Sequence, residues 1–218
     1  MKQIFFLFKY CCFLLLYFIA CIYSNNIYGQ DSTHTDKKQQ FIFIGHGYYN
    51  YLLNLYDEPY TYFPKKYVQY SPVFLKYEKF ISRKSSVTTV ITFTGASSTY
   101  NMNVVTGVDV NISPTYTSYN YHYLWMRLGL GERWNYYFIS KPRYMVYAGI
   151  GVGIAVDLLR YTTDDPSQKN KTYGGLPLYG SLSAGIKYHV SKRWGVYAET
   201  GFDDGALAQA GFCLFLNK

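Results

Sequence analysis

From Tyr144 almost to the end of the chain, four consecutive segments alternate large apolar residues with small or polar ones at period two, separated by turn signals. Between Tyr147 and Asp157, Ala148, Ile150, Val152, Ile154 and Val156 fall on one face, and Gly149, Gly151, Gly153, Ala155 and Asp157 on the other. Period two is strand geometry, because successive side chains of an extended chain point to opposite faces. A water-soluble sheet turns its large residues inward. Here the bulky face is backed by one too small to build an apolar core, which suits a barrel that meets lipid outside and lines its lumen with small and charged groups.

Continuing the pattern along the chain predicts eight strands, at about 41–49, 71–79, 86–94, 119–131, 143–158, 177–190, 194–202 and 206–216. The third is rich in β-branched residues, which favour a pleated, half-buried surface. The expected fold is therefore all-β: an eight-stranded antiparallel up-and-down transmembrane β-barrel occupying residues 41–218. The connections after strands one, three and five read as long, and those after two, four and six as short, down to Ser191-Lys192-Arg193. Outer-membrane barrels have long exterior loops and short periplasmic turns, so both chain ends are expected on the periplasmic side. Asp203-Asp204-Gly205 breaks this rule by being short. The expected contact surfaces are the stretches 50–70, 95–118 and 160–175, where tyrosines offer amphipathic contact area.

Charge gives an independent check on which face is which, since a Lys or Arg on the lipid face near the midplane costs about 2–4 kcal/mol. Placing Lys76 and Glu78 inside leaves Val73, Leu75 and Tyr77 outside; placing Arg127 inside leaves Leu124, Met126, Leu128 and Leu130 outside. In the strand six to seven hairpin, Lys187 and Glu199 fall inside and face each other directly or diagonally. An interior ion network of Lys76, Glu78, Arg127, Lys187 and Glu199 is expected, because buried charges must be paired. The residues expected against lipid are Ile150, Val152, Ile154, Leu182, Ile186, Val196, Phe212 and Leu214.

The first residues suggest export. Lys2 and Lys9 precede an apolar run, Cys11 to Cys21, followed by a polar stretch and Ile27-Tyr28-Gly29, the layout of a signal peptide (1–29) cut after Gly29, with a polar linker at 30–40. Two alternatives are a membrane anchor, for which the run falls short of the roughly 20 residues a spanning helix needs, and lipoprotein processing at Cys21. Signal cleavage leaves Cys213 as the one cysteine of the exported chain, so no internal disulfide is expected. Composition agrees, with 27 Tyr suiting interfacial girdles and 21 Lys and Arg against 13 Asp and Glu suiting phosphate-bearing lipid headgroups. Nucleic acid is not an expected partner of an exported chain.

The segments Val73 to Lys79, Tyr147 to Gly153 and Ala184 to Phe202 resemble the small eight-stranded outer-membrane barrels of the OmpA/OmpX-like class, the resemblance covering about 41–217. It implies residence in the outer membrane, contact with its lipid including lipopolysaccharide, insertion by the barrel-assembly machinery, and a monomeric structural or surface-interaction role through loops that meet an extracellular ligand. The class tends to end on an aromatic residue, whereas Asn217-Lys218 trail here. Other functions remain open: a narrow porin-like channel, a soluble exported lipid-binding barrel, and an outer-membrane lipid A esterase using His189, Ser191 and Asp203. Neither catalysis nor a cofactor is otherwise indicated. His34, His46, His122 and His189 are scattered without metal-site spacing.

Overall fold

The computed structural model describes residues 39–50, 64–107 and 115–216. The signal peptide and nearly all of the linker fall outside these residues, as do 51–63 and 108–114. Nine strands form: β1 (Gln40–Asn50), β2 (Pro64–Phe80), β3 (Ser85–Gly107), β4 (Thr115–Ser140), β5 (Tyr144–Thr163), β6 (Lys171–Gly175), β7 (Leu178–His189), β8 (Trp194–Asp203) and β9 (Ala206–Phe215). Chain neighbours pair antiparallel except β6 and β7, which both lie against β5, and β1 pairs with β9. β6 and β7 are thus two lengths of one wall strand, interrupted at Leu176-Pro177, and the sheet closes as an eight-stranded barrel. Pro177 has no N–H to give the ladder, but its carbonyl accepts from Ala155 N at 2.9 Å, so the wall holds across the break. Ser71-Pro72 similarly coincides with a register shift in the β2–β3 pair, between Tyr70 and Val73.

Following paired residues round the barrel leads from His189 through Gly195, Cys213, Phe43, Lys76, Val90, Gly131 and Gly153 to Tyr179. One circuit returns to β7 ten residues along, from His189 to Tyr179. This stagger tilts the strands and fixes a lumen that side chains alone can fill.

Alternation governs the wall. Ile150, Val152, Ile154, Leu182, Ile186, Val196, Phe212 and Leu214 all point outward and are exposed, Val152 at 71%. Glycines back them. A Cβ on Gly149 would lie 3.0 Å from Arg133 Cδ, and one on Gly153 2.5 Å from Tyr179 Cε1, so these positions are small because lumen side chains occupy the space. The outer face is not wholly apolar. Glu132 shares an outward row with Thr89 and Tyr77 and takes a 2.6 Å hydrogen bond from the Thr89 hydroxyl. Tyr77 and Leu130 lie on outward rows as expected but are buried rather than exposed.

Strands run further than the sequence pattern indicated. Most of 95–118 and the start and end of 160–175 are strand, so these regions form a raised sheet of β3 to β6 in place of loops, and 64–70 belongs to β2. The aromatic stretch after Gly131 is also strand, to Ser140. Alternation there passes through polar and aromatic residues, which hides it from a reading keyed to apolar positions. Opposite this tall wall, β8 and β9 join through the two-residue turn Asp204-Gly205, both at positive φ (39° and 102°), the conformation for which an Asp-Gly pair is suited.

Val152→Arg should cost about 2–4 kcal/mol in a bilayer. In refolding followed by unheated gel mobility, it should sharply reduce the fast-migrating folded band, while Thr172→Arg on the raised sheet should leave the band intact.

Candidate functional site

Two regions concentrate chemistry: the filled lumen and the raised rim. The lumen begins, at the short-turn end, with an aromatic floor of Phe41, Phe43, Phe80, Tyr137, Tyr147 and Tyr197, with Met145 and Cys213 among them and Phe215 packed alongside. Lys187 reaches into this floor. Its Nζ lies 4.6 to 5.1 Å from the ring centres of Tyr147, Tyr137, Phe43 and Phe41, and it donates to Glu78 and to the Tyr137 hydroxyl oxygen. Ring faces and a carboxylate together replace the water this ammonium has lost. Glu78 also accepts from Asn135 Nδ2 at 3.1 Å and from the hydroxyls of Ser86 and Tyr137.

Above the floor, Glu199 is held by three donors. Arg133 grips it in a fork, Nη2 to Oε1 at 2.7 Å and Nη1 to Oε2 at 3.0 Å; Lys76 Nζ reaches Oε2 at 2.6 Å; the Tyr147 hydroxyl donates to Oε1. Arg133 and Lys76 also contact Asp203 Oδ2, at 3.2 and 3.5 Å, and Gln209 donates to the same oxygen at 2.9 Å. Nearer the rim, Arg127 Nε donates to Asp204 Oδ1 at 2.7 Å and Nη1 to Asp157 Oδ2 at 3.2 Å, while Thr92 donates its hydroxyl to Asp204. The tight β8–β9 turn is thereby folded inward, with Asp203 and Asp204 almost fully buried.

Lys76, Glu78, Arg127, Lys187 and Glu199 all lie buried in the lumen. Lys187 and Glu199 are diagonal neighbours across the β7–β8 pair, but each makes its ion pairs with other partners, Lys187 with Glu78. In the β7–β8 register Glu199 stands opposite Gly185 and Lys187 opposite Tyr197, and Glu199 is engaged instead by Arg133 and Lys76. Arg133, Asp157, Asp203 and Asp204 complete the arrangement; Asp157 was expected on the lumen face but not in the ion network, and the other three were not expected there. Arg133 could have been, since it sits at the same parity as Arg127, six residues further along the same strand.

The triad candidates do not assemble. His189 packs against the Phe41 and Phe215 rings, and the Ser191 oxygen accepts from the backbone N–H groups of Arg193 and Trp194 at 3.1 and 3.2 Å. Asp203 lies at the far end of the hairpin, one residue past the Leu182–Phe202 pair, with the lumen cations. Among the described residues no three His, Cys, Asp or Glu side chains gather as metal ligands.

The rim carries a tyrosine cluster on β3, β4 and β5: Tyr100 and Tyr121 stack at 5.2 Å, and Tyr123 meets Tyr161 edge-on at 5.0 Å. The connection from Thr163 to Lys171 is pinned to it. Asn120 donates to Asp164 through its backbone N and side-chain amide at 2.6 and 2.8 Å, and the Tyr121 hydroxyl donates to Asp165 at 2.9 Å. The Asn120 bonds hold the Asp164 carboxyl below its usual range and the Ser167 hydroxyl does so for Asp165, whereas burial and the Asp165 carboxylate push the Tyr121 phenol up to about 12.

The chain folds as a small closed eight-stranded antiparallel barrel. No family model matches it, nor does any curated protein. Among solved structures it is similar to Ail, the attachment invasion locus protein of Yersinia pestis, at 8% identity and a TM-score of 0.40 over 82% of this chain and 93% of that one. Ail in complex with the heparin analogue sucrose octasulfate gives 9% and 0.35 over 82% and 94%. The N-terminal beta-barrel domain of Pseudomonas aeruginosa OprF gives 14% and 0.36 over 83% and 100%. The fold assignment rests on the chain's own strand pairing.

Glu199→Gln should destabilise the barrel by about 3–5 kcal/mol, because it leaves two buried cations, Arg133 and Lys76, with the single carboxylate of Asp203 between them; the urea midpoint in liposomes measures this, and an unchanged midpoint would show the cluster to be idle. At the rim, depressed carboxyl pKa values mean the Asp164 and Asp165 bonds are intact at neutral pH and lost as pH falls through the folded values. The Asn120 amide resonance should therefore stay constant down to pH ~4 and move only below it; a midpoint above that range would contradict the clamp.

Proposed function

We propose that this chain is exported through a cleaved signal peptide, inserted by the barrel-assembly machinery, and resides in the outer membrane as a closed structural barrel that presents its raised rim to the exterior. The observation that carries this reading is the sorting of side chains across one wall. Exposed Ile, Val, Leu and Phe point outward, while most charges within the barrel height point inward and are paired. Such sorting favours a lipid surround, in which the outer residues contact outer-membrane lipid including lipopolysaccharide, over a soluble lipid-binding barrel, which would need the reverse.

The filled lumen favours a structural role over a narrow channel. Rings close one end, the inward β8–β9 turn obstructs the other, and Arg133, Glu199 and Lys76 bridge the middle. The separation of His189 from Asp203 likewise favours a non-enzymatic role. Surface interaction is supported by the rim: β6 pairs with β5 on one side and, among the described residues, with no strand on the other, and it carries the exposed ring of Tyr173, while Met102, Val105 and Tyr116 are exposed on the β3–β4 extension of the same sheet. An open sheet edge that carries an exposed aromatic ring is suited to accept an extended segment of a protein ligand.

Trypsin added to intact cells should cut after Lys169 or Lys171 and spare Lys141 and Lys192; cleavage at the short turns in intact cells would reverse the orientation. In planar bilayers the purified protein should add no stepwise conductance, whereas steady open levels would establish the channel reading.

A further inference from the structure

The short-turn end has a charge distribution unlike the rest of the molecule. Barrel closure brings three turns to one level: Ile81 to Lys84, Lys141 to Arg143, and Val190 to Arg193. They carry Lys84, Lys141, Arg143, Lys192 and Arg193, all exposed. Among the described residues no exposed Asp or Glu lies at this end; the nearest carboxylate, Glu78, is buried and committed to Lys187. The rim differs, since Arg160, Lys169 and Lys171 share it with Asp164 and Asp165. Lumen charge is paired. Much of the chain's net charge of +8 is therefore concentrated on one collar.

Turn chemistry keeps these cations facing out. Ser82 and Ser191 accept backbone N–H groups within their own turns, from Lys84 at 3.3 Å and from Arg193 and Trp194 at 3.1 and 3.2 Å, leaving the long side chains to project. Directly beside them on the outer wall stand Ile81, Phe138, Tyr188 and Trp194, exposed by 52%, 63%, 46% and 40%. Amphipathic rings and apolar groups next to flexible cations form the layering of a membrane–water boundary, where Lys and Arg reach the headgroups while their stems lie along hydrocarbon.

We propose that this collar is a binding surface for the phosphate diesters of anionic phospholipid headgroups, such as phosphatidylglycerol, in the leaflet that faces the chain ends. The proposal rests on the membrane-barrel reading and adds a lipid class, a leaflet and the residues. Cations distributed around a ring engage several headgroups at once, each attracted within a screening length of about 10 Å at 0.1 M salt.

Trp194 is a native reporter, one residue from Arg193. The full chain, carrying Trp125→Phe and Trp134→Phe so that Trp194 alone remains, is refolded into phosphatidylcholine bilayers containing either brominated phosphatidylglycerol or brominated phosphatidylcholine at equal fraction. Quenching of Trp194 should favour the anionic lipid by at least about threefold at low salt and lose that preference in 1 M salt. The variant K141Q/R143Q/K192Q/R193Q should retain quenching by phosphatidylcholine but lose the preference, and R160Q/K169Q/K171Q at the rim should keep it. Equal quenching by the two lipids in the parent protein, or a preference abolished by the rim variant instead, overturns the proposal while leaving the barrel in the membrane. Absence of quenching by either lipid overturns the membrane reading as well. The salt comparison on the parent protein decides the matter even if the collar variant fails to fold.

Discussion

Every strand of this barrel is constrained by the same fact: a side chain's face is fixed by its parity, and a slip of one residue exchanges the two faces. Here such a slip would place Lys76, Arg133, Lys187 and Glu199 on the outer wall and drive Ile150, Val152 and Phe212 into a lumen already occupied. The ion clusters and the apolar exterior are thus two results of one register. The stagger of ten residues in one circuit then sets how wide the lumen is and which charges meet across it. Glu199 finds Arg133, from β4, rather than its neighbour Lys187, because the tilt brings strands distant in sequence to the same level.

That distinction marks what the chain reveals before folding. Parity is local and could be read directly: the inward placement of Lys76, Glu78, Arg127, Lys187 and Glu199, the outward placement of Ile150 and its companions, and the glycines at 149, 151 and 153 all follow from period two and residue size. Partner choice is not local. It depends on shear, which one sequence does not display, so the Lys187–Glu78 and Lys76–Glu199 pairs and the docking of Asp203 and Asp204 emerged only with the closed barrel. Strand length was underestimated for a related reason. Above the apolar band, β3, β4 and β5 continue through Ser, Thr, Asn and Tyr, whose two faces do not differ enough in polarity to announce a strand.

The two ends of the barrel are built for different surroundings. One is low and basic, bounded by three short turns and floored by aromatic rings. The other rises on β3 to β6 and drops at the Asp204-Gly205 turn, which leaves the outer side of β6 without a strand partner among the described residues. The tight turn is what makes the asymmetry possible: it shortens one hairpin and, by carrying Asp203 and Asp204 inward, supplies the acids that Arg127 and Arg133 require.

The most direct test is a nitroxide scan of β5. In a background with the buried thiol removed (Cys213→Ala), single cysteines from position 148 to 156 are labelled in bilayers, and the collision rate with oxygen is compared with that of a water-soluble nickel chelate. Oxygen access should rise at 150, 152 and 154 and fall at 149, 151 and 153, with the chelate excluded from the outward positions. Chelate access at 150, 152 and 154, or no period-two alternation, would contradict a lipid-facing exterior around a closed, charged lumen.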